Sequence, residues 1–100
     1  GLGARAVERL RAMKERLPCI AAVRGLGLLL GIELVDPATG APAREVAERV
    51  LYTCLAQGLS FKIGQGNVLV LAPPLVIEQA DLDRALDIVE AAIGAAQPAS

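Results

Sequence analysis

The sequence predicts an α+β domain: a small, mainly antiparallel sheet covered by helices, with elements in the order α-β-β-α-β-β-α. Three observations carry this. Apolar residues recur at helical spacing in three segments, at the start, the middle and the end of the chain. Between those segments lie four short apolar runs bounded by glycine, proline or polar turn residues. The chain has 100 residues, enough for one hydrophobic core and too few for two.

The first helix follows from Leu2, Ala6, Leu10, Met13 and Leu17, which fall on one face before Pro18 stops the helix. Its other face carries Arg5, Glu8, Arg9, Arg11, Lys14 and Glu15. Ile20 to Arg24 then reads as a strand that turns at Gly25-Leu26-Gly27 and continues from Leu28 to Val35. In that second strand Leu28, Leu30, Ile32 and Leu34 share one face, and Leu29, Gly31, Glu33 and Val35 the other. Asp36-Pro37-Ala38-Thr39-Gly40 forms a loop, and Pro42 suits the first turn of the next helix.

That second helix carries Val46, Ala47, Val50, Leu51, Cys54 and Leu55 as a broad buried stripe and ends at Gly58, a C-terminal cap. Leu59 to Ile63 reads as a strand, Gly64-Gln65-Gly66-Asn67 as a tight turn, and Val68 to Ala72 as a strand ended by Pro73-Pro74. Leu82, Ala85, Leu86, Val89 and Ile93 build the third helix, with acids near its start and Gly94 near its end. The expected domain is therefore 1–94, with 95–100 a frayed tail.

Composition narrows the function. The core must be aliphatic, because the chain has one Tyr, one Phe and no Trp. Ten basic side chains against eleven acidic ones leave no cationic surplus, and there are almost no aromatic residues for base stacking, so nucleic-acid binding lacks support. The longest apolar run, Leu26 to Ile32, is far too short to cross a bilayer. With no histidine and two distant cysteines, Cys19 and Cys54, neither a zinc pattern nor a CxxC pair exists. Both thiols are expected to be buried, in a reducing, cytoplasmic compartment.

No constellation assembles a reaction. Gly25-Leu26-Gly27 with Gly31 has GxGxxxG spacing and runs on into a leucine strand, whereas a phosphate cradle needs a helix N-terminus behind the glycines. Gly64-Gln65-Gly66-Asn67 after Lys62 reads either as an anion-binding nest or as a hairpin turn whose positive φ is supplied by Gly and Asn. Lys14 lies on a solvated helix face and Lys62 has no acidic neighbour in sequence, so neither has the surroundings of a Schiff-base lysine. Asp81, Asp83, Asp87 and Glu90 read as surface charges, with Arg84 bridging Asp81 and Asp87 at i, i+3 spacing. Arg24 and Glu33, flanking the glycine hairpin, read as a structural pair or as solvated charges.

Two stretches nevertheless carry a family signature. Val23-Arg24-Gly25-Leu26-Gly27-Leu28-Leu29-Leu30-Gly31-Ile32-Glu33-Leu34 resembles the VRGxGLxxGIEL segment of class III pyridoxal-phosphate-dependent aminotransferases. Asn67 to Ile77, with Pro73-Pro74 inside it and the acidic segment Asp81 to Leu86 after it, resembles the end of the same enzymes. In this order and at this separation, the two motifs cover nearly the whole chain.

The resemblance implies the C-terminal small domain of a fold-type-I enzyme of the acetylornithine or 4-aminobutyrate aminotransferase kind. It implies amino-group transfer between an amine or amino acid and a keto acid. It also implies an upstream large domain that holds pyridoxal 5'-phosphate and its lysine, and a homodimer. Catalytic, cofactor-binding and metal-binding residues are then expected on none of these 100 positions, and the chain alone is inert. What it contributes is a wall of the substrate cleft, with Lys62, Gln65, Asn67 and Val70 as the candidates.

Val70 departs from the pattern: acetylornithine-type members commonly place there an arginine that grips a substrate carboxylate, and valine cannot form that contact. An amine donor, or an acid held elsewhere, follows. Two other readings compete. One is a free-standing, ACT-like regulatory module binding a small metabolite, although the chain shows no internal duplication. The other is a protein-interaction domain, which requires a contiguous exposed apolar patch.

Overall fold

The computed structural model describes residues 2–26, 29–72 and 77–96. Three helices, α1 (Leu2–Arg16), α2 (Arg44–Ala56) and α3 (Gln79–Ala96), and four strands, β1 (Ile20–Leu26), β2 (Leu29–Leu34), β3 (Lys62–Gly64) and β4 (Val68–Leu71), follow the predicted order. The strands form one sheet in the order β1-β2-β4-β3, and every neighbouring pair is antiparallel. The expected α+β class and order are therefore observed.

Alternation along β2 and β4 decides which face is covered. Leu30, Ile32, Leu34, Leu69 and Leu71 are buried on one side, whereas Leu29 on β2 is 50% exposed. All three helices lie over the buried side: α1 across β1 and β2, α2 across β2 and β3, and α3 against both other helices. Ala6, Leu10 and Met13 from α1, and Leu17 just after it, meet Leu82, Leu86, Val89 and Ile93 from α3 in that core. Leu2 belongs to α1, but its side chain lies outside the described residues.

Gly25 departs from its expected role. It sits inside the β1 ladder opposite Leu30, with Leu26 opposite Leu29, and is not a turn residue. Gly27 and Leu28, where the expected turn and the start of the second strand fall, lie outside the described residues, as do Pro73-Pro74. What Gly25 permits is contact with α1: a Cβ there would lie 2.1 Å from Val7 Cγ2. Because β1 runs directly beneath the helix, a methyl group at this point would displace it.

Helix α2 ends as expected and starts later. The Leu59 amide donates to Cys54 O at 2.9 Å and the Gly58 amide to Leu55 O at 3.0 Å, with Gly58 at φ 84°, the bond pattern of a Schellman cap. That cap uses the Leu59 amide on the helix, so strand pairing begins only at Lys62 and not at Leu59. At the other end Pro42 bridges Val35 and the Ala43 amide donates to Leu34 O, keeping the chain extended until Arg44. The buried stripe is narrower than predicted: Val46, Ala47, Val50 and Cys54 are covered, whereas Leu55 is 45% exposed and Leu51 half-buried.

The turn joining β3 to β4 is closed by the Asn67 amide on Gly64 O at 3.2 Å. Positive φ falls on Gln65, at 54°, and Gly66, at 84°, the signs of a type I′ turn. Asn67 does not carry it. Its side chain is instead buried, with Nδ2 donating to Leu34 O at 3.0 Å while the Leu34 amide donates to the Asn67 carbonyl. An amide that satisfies the end of β2 is thereby held in place, and a non-glycine residue is left in the left-handed region.

Helix α3 continues through Gly94 to Ala96, so two residues of the expected tail are helical and Ala96 is buried. Its acidic face serves α1. Arg9 reaches Asp87 Oδ1 at 2.5 Å and Glu90 Oε1 at 3.0 Å, and Arg16 donates to Glu90 Oε2 through Nε at 3.1 Å and through Nη2. Asp87 thus pairs with another helix and not, as its spacing suggests, with Arg84. Burial pushes the Glu90 carboxyl up, but hydrogen bonds from Arg16 and Arg9 outweigh it and hold the group below its ordinary value.

Three outcomes follow from this packing. Gly25→Ala is expected to cost about 1–3 kcal/mol in urea unfolding, and Val7→Ala added to it restores most of the loss; an unchanged midpoint for Gly25→Ala would refute the contact. Because Glu90 titrates lower folded than unfolded, its contribution is complete above about pH 4.5 and disappears as pH falls through the folded value. Glu90→Gln should therefore lower stability at neutral pH by about 1 kcal/mol or less and flatten the acid limb of a stability profile. Gln65→Asn, which tolerates positive φ, should raise the thermal midpoint, by an amount worth roughly 0.5–1 kcal/mol.

Candidate functional site

The sheet face opposite the helices is left uncovered by these elements among the described residues, and the register shows what stands on it. Paired residues on antiparallel strands point to the same side. Arg24 pairs with Gly31, Gly31 with Val70, and Val70 with Lys62, so these four form one row across all four strands. Ala22, Glu33, Val68 and Gly64 form the adjacent row by the same pairings.

The two rows are chemically uneven. Lys62 is exposed at the β3 edge and Arg24 is 82% exposed at the β1 edge, with Gly31 and Val70 between them. Arg24 Nη2 lies 3.9 Å from Glu33 Oε1, at the limit of an ion pair, so the structural pairing expected for these two is present in weak form. Ala22, Arg24, Gly31, Glu33 and Val68 line a shallow depression of about 30 Å³. Glycine and valine keep the middle of the face low.

Of the four sequence-derived candidates, the fold brings Lys62 and Val70 together as direct cross-strand partners. Gln65 stands exposed at the tip of the turn, beyond the end of the second row. Asn67 is 5% exposed and engaged with β2, so it supports the turn from the core side. Gly31 and Glu33 join the face through Val70 and Val68, which are distant in sequence, and Arg24 joins it through its hairpin partner Gly31. Their spacing alone did not reveal that row.

Other reactive groups are accounted for. Cys19 and Cys54 are free and fully buried, and burial pushes both thiols up, away from thiolate reactivity. Among the described residues no cluster of three His, Cys, Asp or Glu side chains has the arrangement of a metal site. No helix described is long and apolar enough to cross a membrane. Lys14 is exposed beside Arg11 and Glu15 on an open groove next to β1, and Lys62 is exposed on the sheet. Neither lysine sits in the enclosed, donor-lined site that a covalently held phosphorylated cofactor requires, so the described residues do not fit pyridoxal phosphate.

Comparison with known proteins supplies the context for this face. An (R)-1-hydroxy-2-aminoethylphosphonate ammonia-lyase of Vibrio splendidus is 53% identical over 87 residues, covering 86% of this chain and 18% of the relative. Other relatives are named as a racemase and an aminotransferase. Among solved structures, a phospholyase from Arthrobacter in complex with phosphoethanolamine superposes with a TM-score of 0.87 at 27% identity, over 93% of this chain and 23% of that one. The PMP-bound aminotransferase from Vibrio fluvialis gives 0.83 at 34% identity, over 95% and 22%. The chain therefore spans only about a fifth of the length of these proteins. The "Aminotransferase class-III" family model matches residues 1–93, and the chain belongs to that family.

Proposed function

We propose that this chain is the C-terminal small domain of a pyridoxal-phosphate-dependent enzyme and that its open sheet face forms one wall of the substrate cleft. The carrying observation is the uncovered face itself: a family-matched domain covering about a fifth of its relatives buries one side of its sheet and leaves the other accessible. On this reading the cofactor, its lysine and the bond-breaking chemistry belong to a preceding large domain. Lys62, Gln65 and Val70 meet substrate, and Asn67 holds the turn that presents them. Assembly as a homodimer in the cytoplasm completes the reading, and the two unpaired thiols accord with a reducing compartment.

Amino-group transfer between an amine or amino acid and a keto acid is the reaction typical of the family. A second reading has its own observation. The relative at 53% identity is named as an ammonia-lyase acting on an aminophosphonate, and the Arthrobacter structure contains phosphoethanolamine. Both molecules are short amines with an anionic phospho group at the other end. Val70, unable to form a two-pronged carboxylate contact, accords better with such an amine than with a dicarboxylic substrate. The free-standing regulatory module gains no support from any relative named above.

The intact enzyme, loaded with pyridoxal phosphate, separates these readings. Ammonia release from an amine without any keto acid identifies a lyase; amine consumption that requires a keto acid identifies a transaminase; the absence of both, and of racemisation of an amino acid, would overturn the proposal. The 100 residues alone, mixed with pyridoxal phosphate, should give no specific borohydride-trapped adduct, and a specific adduct on Lys14 or Lys62 would contradict the assignment of the cofactor to the large domain. Lys62→Ala with Gln65→Ala is expected to change the ranking of amine donors, and an unaltered ranking removes these residues from the wall.

A further inference from the structure

Several connections meet where β2 ends. The Leu34 carbonyl accepts from the Ala43 amide and from Asn67 Nδ2, each at 3.0 Å, and the Leu34 amide donates to the Asn67 carbonyl at 2.9 Å. The start of α2 and the turn joining β3 to β4 are therefore anchored on one residue. A further contact joins those two elements directly. Gly66 is half-buried at φ 84°, and a Cβ placed there would lie 2.9 Å from Arg44 Nε and 3.0 Å from Arg44 Cδ and Cγ. The arginine stem thus runs across the turn, in space that only a glycine leaves open.

Nothing on α2 itself explains this cation. Arg44 is the first residue of the helix, where a positive charge opposes the helix dipole. Glu48, one turn later, is not its ion-pair partner, nor is any other carboxylate among the described residues. What Arg44 does meet is the turn, and the turn needs support. Strand β3 has three residues and pairs with β4 alone, at the edge of the sheet, so its ladder brings few hydrogen bonds. Gln65, at the tip, is held at a φ of 54° that side chains rarely adopt.

We propose that Arg44 is a positioning residue for the substrate wall: its stem, laid over Gly66, fixes the turn and with it the place from which Gln65 meets substrate. The inference rests on the cleft-wall reading above and adds a residue that does not itself touch substrate. Because the contact is made by Cγ, Cδ and Nε, the unbranched stem carries it and the charge does not. Gly66 then has two reasons to be glycine, its left-handed φ and the arginine above it, and the two can be separated by a residue that tolerates the first and violates the second.

The test uses the full-length enzyme loaded with pyridoxal phosphate and a series of the amines it consumes. Arg44→Ala should raise KM by roughly three- to tenfold, unequally across donors, and leave kcat within about twofold of wild type. Hydrogen exchange of the Asn67 amide, which closes the turn on Gly64 O, should quicken. Arg44→Met, which keeps an unbranched stem of the same length without the charge, should restore both. Gly66→Asn, which accepts positive φ but sets a Cβ against the stem, should raise KM in the wild-type background and add little to Arg44→Ala. Arg49→Ala, elsewhere on α2, should leave KM unchanged. An active Arg44→Ala enzyme with wild-type KM values and donor ranking overturns this inference alone, even if its thermal midpoint falls. So does a loss that Arg44→Met does not restore, or one that simply adds to that of Gly66→Asn. A wild type inert toward every amine and amino acid overturns the proposed function and the inference with it.

Discussion

Strand β2 lies between β1 and β4 and bonds to both, so its alternation is imposed on the whole sheet. Leu30, Ile32 and Leu34 point into the core, and Gly31 and Glu33 point out of it. A slip of one residue would exchange these sets, exposing three large aliphatic side chains and burying a carboxylate. The cost of that exchange holds the register in place. Once β2 is set, Val68 and Val70 on β4 are fixed on the outer face, and through them Gly64 and Lys62 on β3. The open face is therefore a consequence of how the core is buried, and the positions of its charges are inherited from three leucine and isoleucine side chains on the other side.

The helices complete that constraint by different means. Helix α1 reaches β1 closely because Gly25 has no side chain, and it is tied to α3 by Arg9 and Arg16 around Asp87 and Glu90. The ionic contacts are largely exposed and contribute little energy each. Their use is orientation: the carboxylates of one helix turn are shared by guanidinium groups from two turns of the other. Among the described residues helix α2 makes no such ionic contact. Its Schellman cap turns the chain at Gly58 towards the sheet, so that β3 begins only at Lys62.

Local signals in the sequence were enough for what depends on one element at a time. The spacing of Leu30, Ile32 and Leu34, the helix stripes, and Gly58 as a cap could each be read from a few neighbouring residues. What required two distant segments could not. Gly25 sits next to Leu26-Gly27 and reads as a turn residue, yet its glycine is needed because Val7 of α1 passes over it. Asn67 carries a residue type suited to positive φ, but its side chain donates to the Leu34 carbonyl, which also accepts from the Ala43 amide, and positive φ falls on Gln65 and Gly66. Arg84 is near Asp87 in sequence, and Arg9 is nearer in space. Of the face itself, Lys62 and Val70 were legible as candidates, whereas the row that joins them to Gly31 and Arg24 exists only through the ladder.

That division bears on how one family supports several reactions. Relatives of this chain are named as a lyase, a racemase and an aminotransferase, and they share its fold closely enough to match nearly all of it. Inner-face positions have little freedom, because any change there is felt by the packed core. Outer-face positions such as 62 and 70 point away from the helices, so a change of charge or shape there leaves the packed core in place. A cation at 62 beside an aliphatic residue at 70 is one such combination, and an arginine at 70 would be another. On the proposed reading, the ladder supplies fixed places for side chains along one wall of a cleft, and the residues chosen at those places vary while the core that fixes them does not.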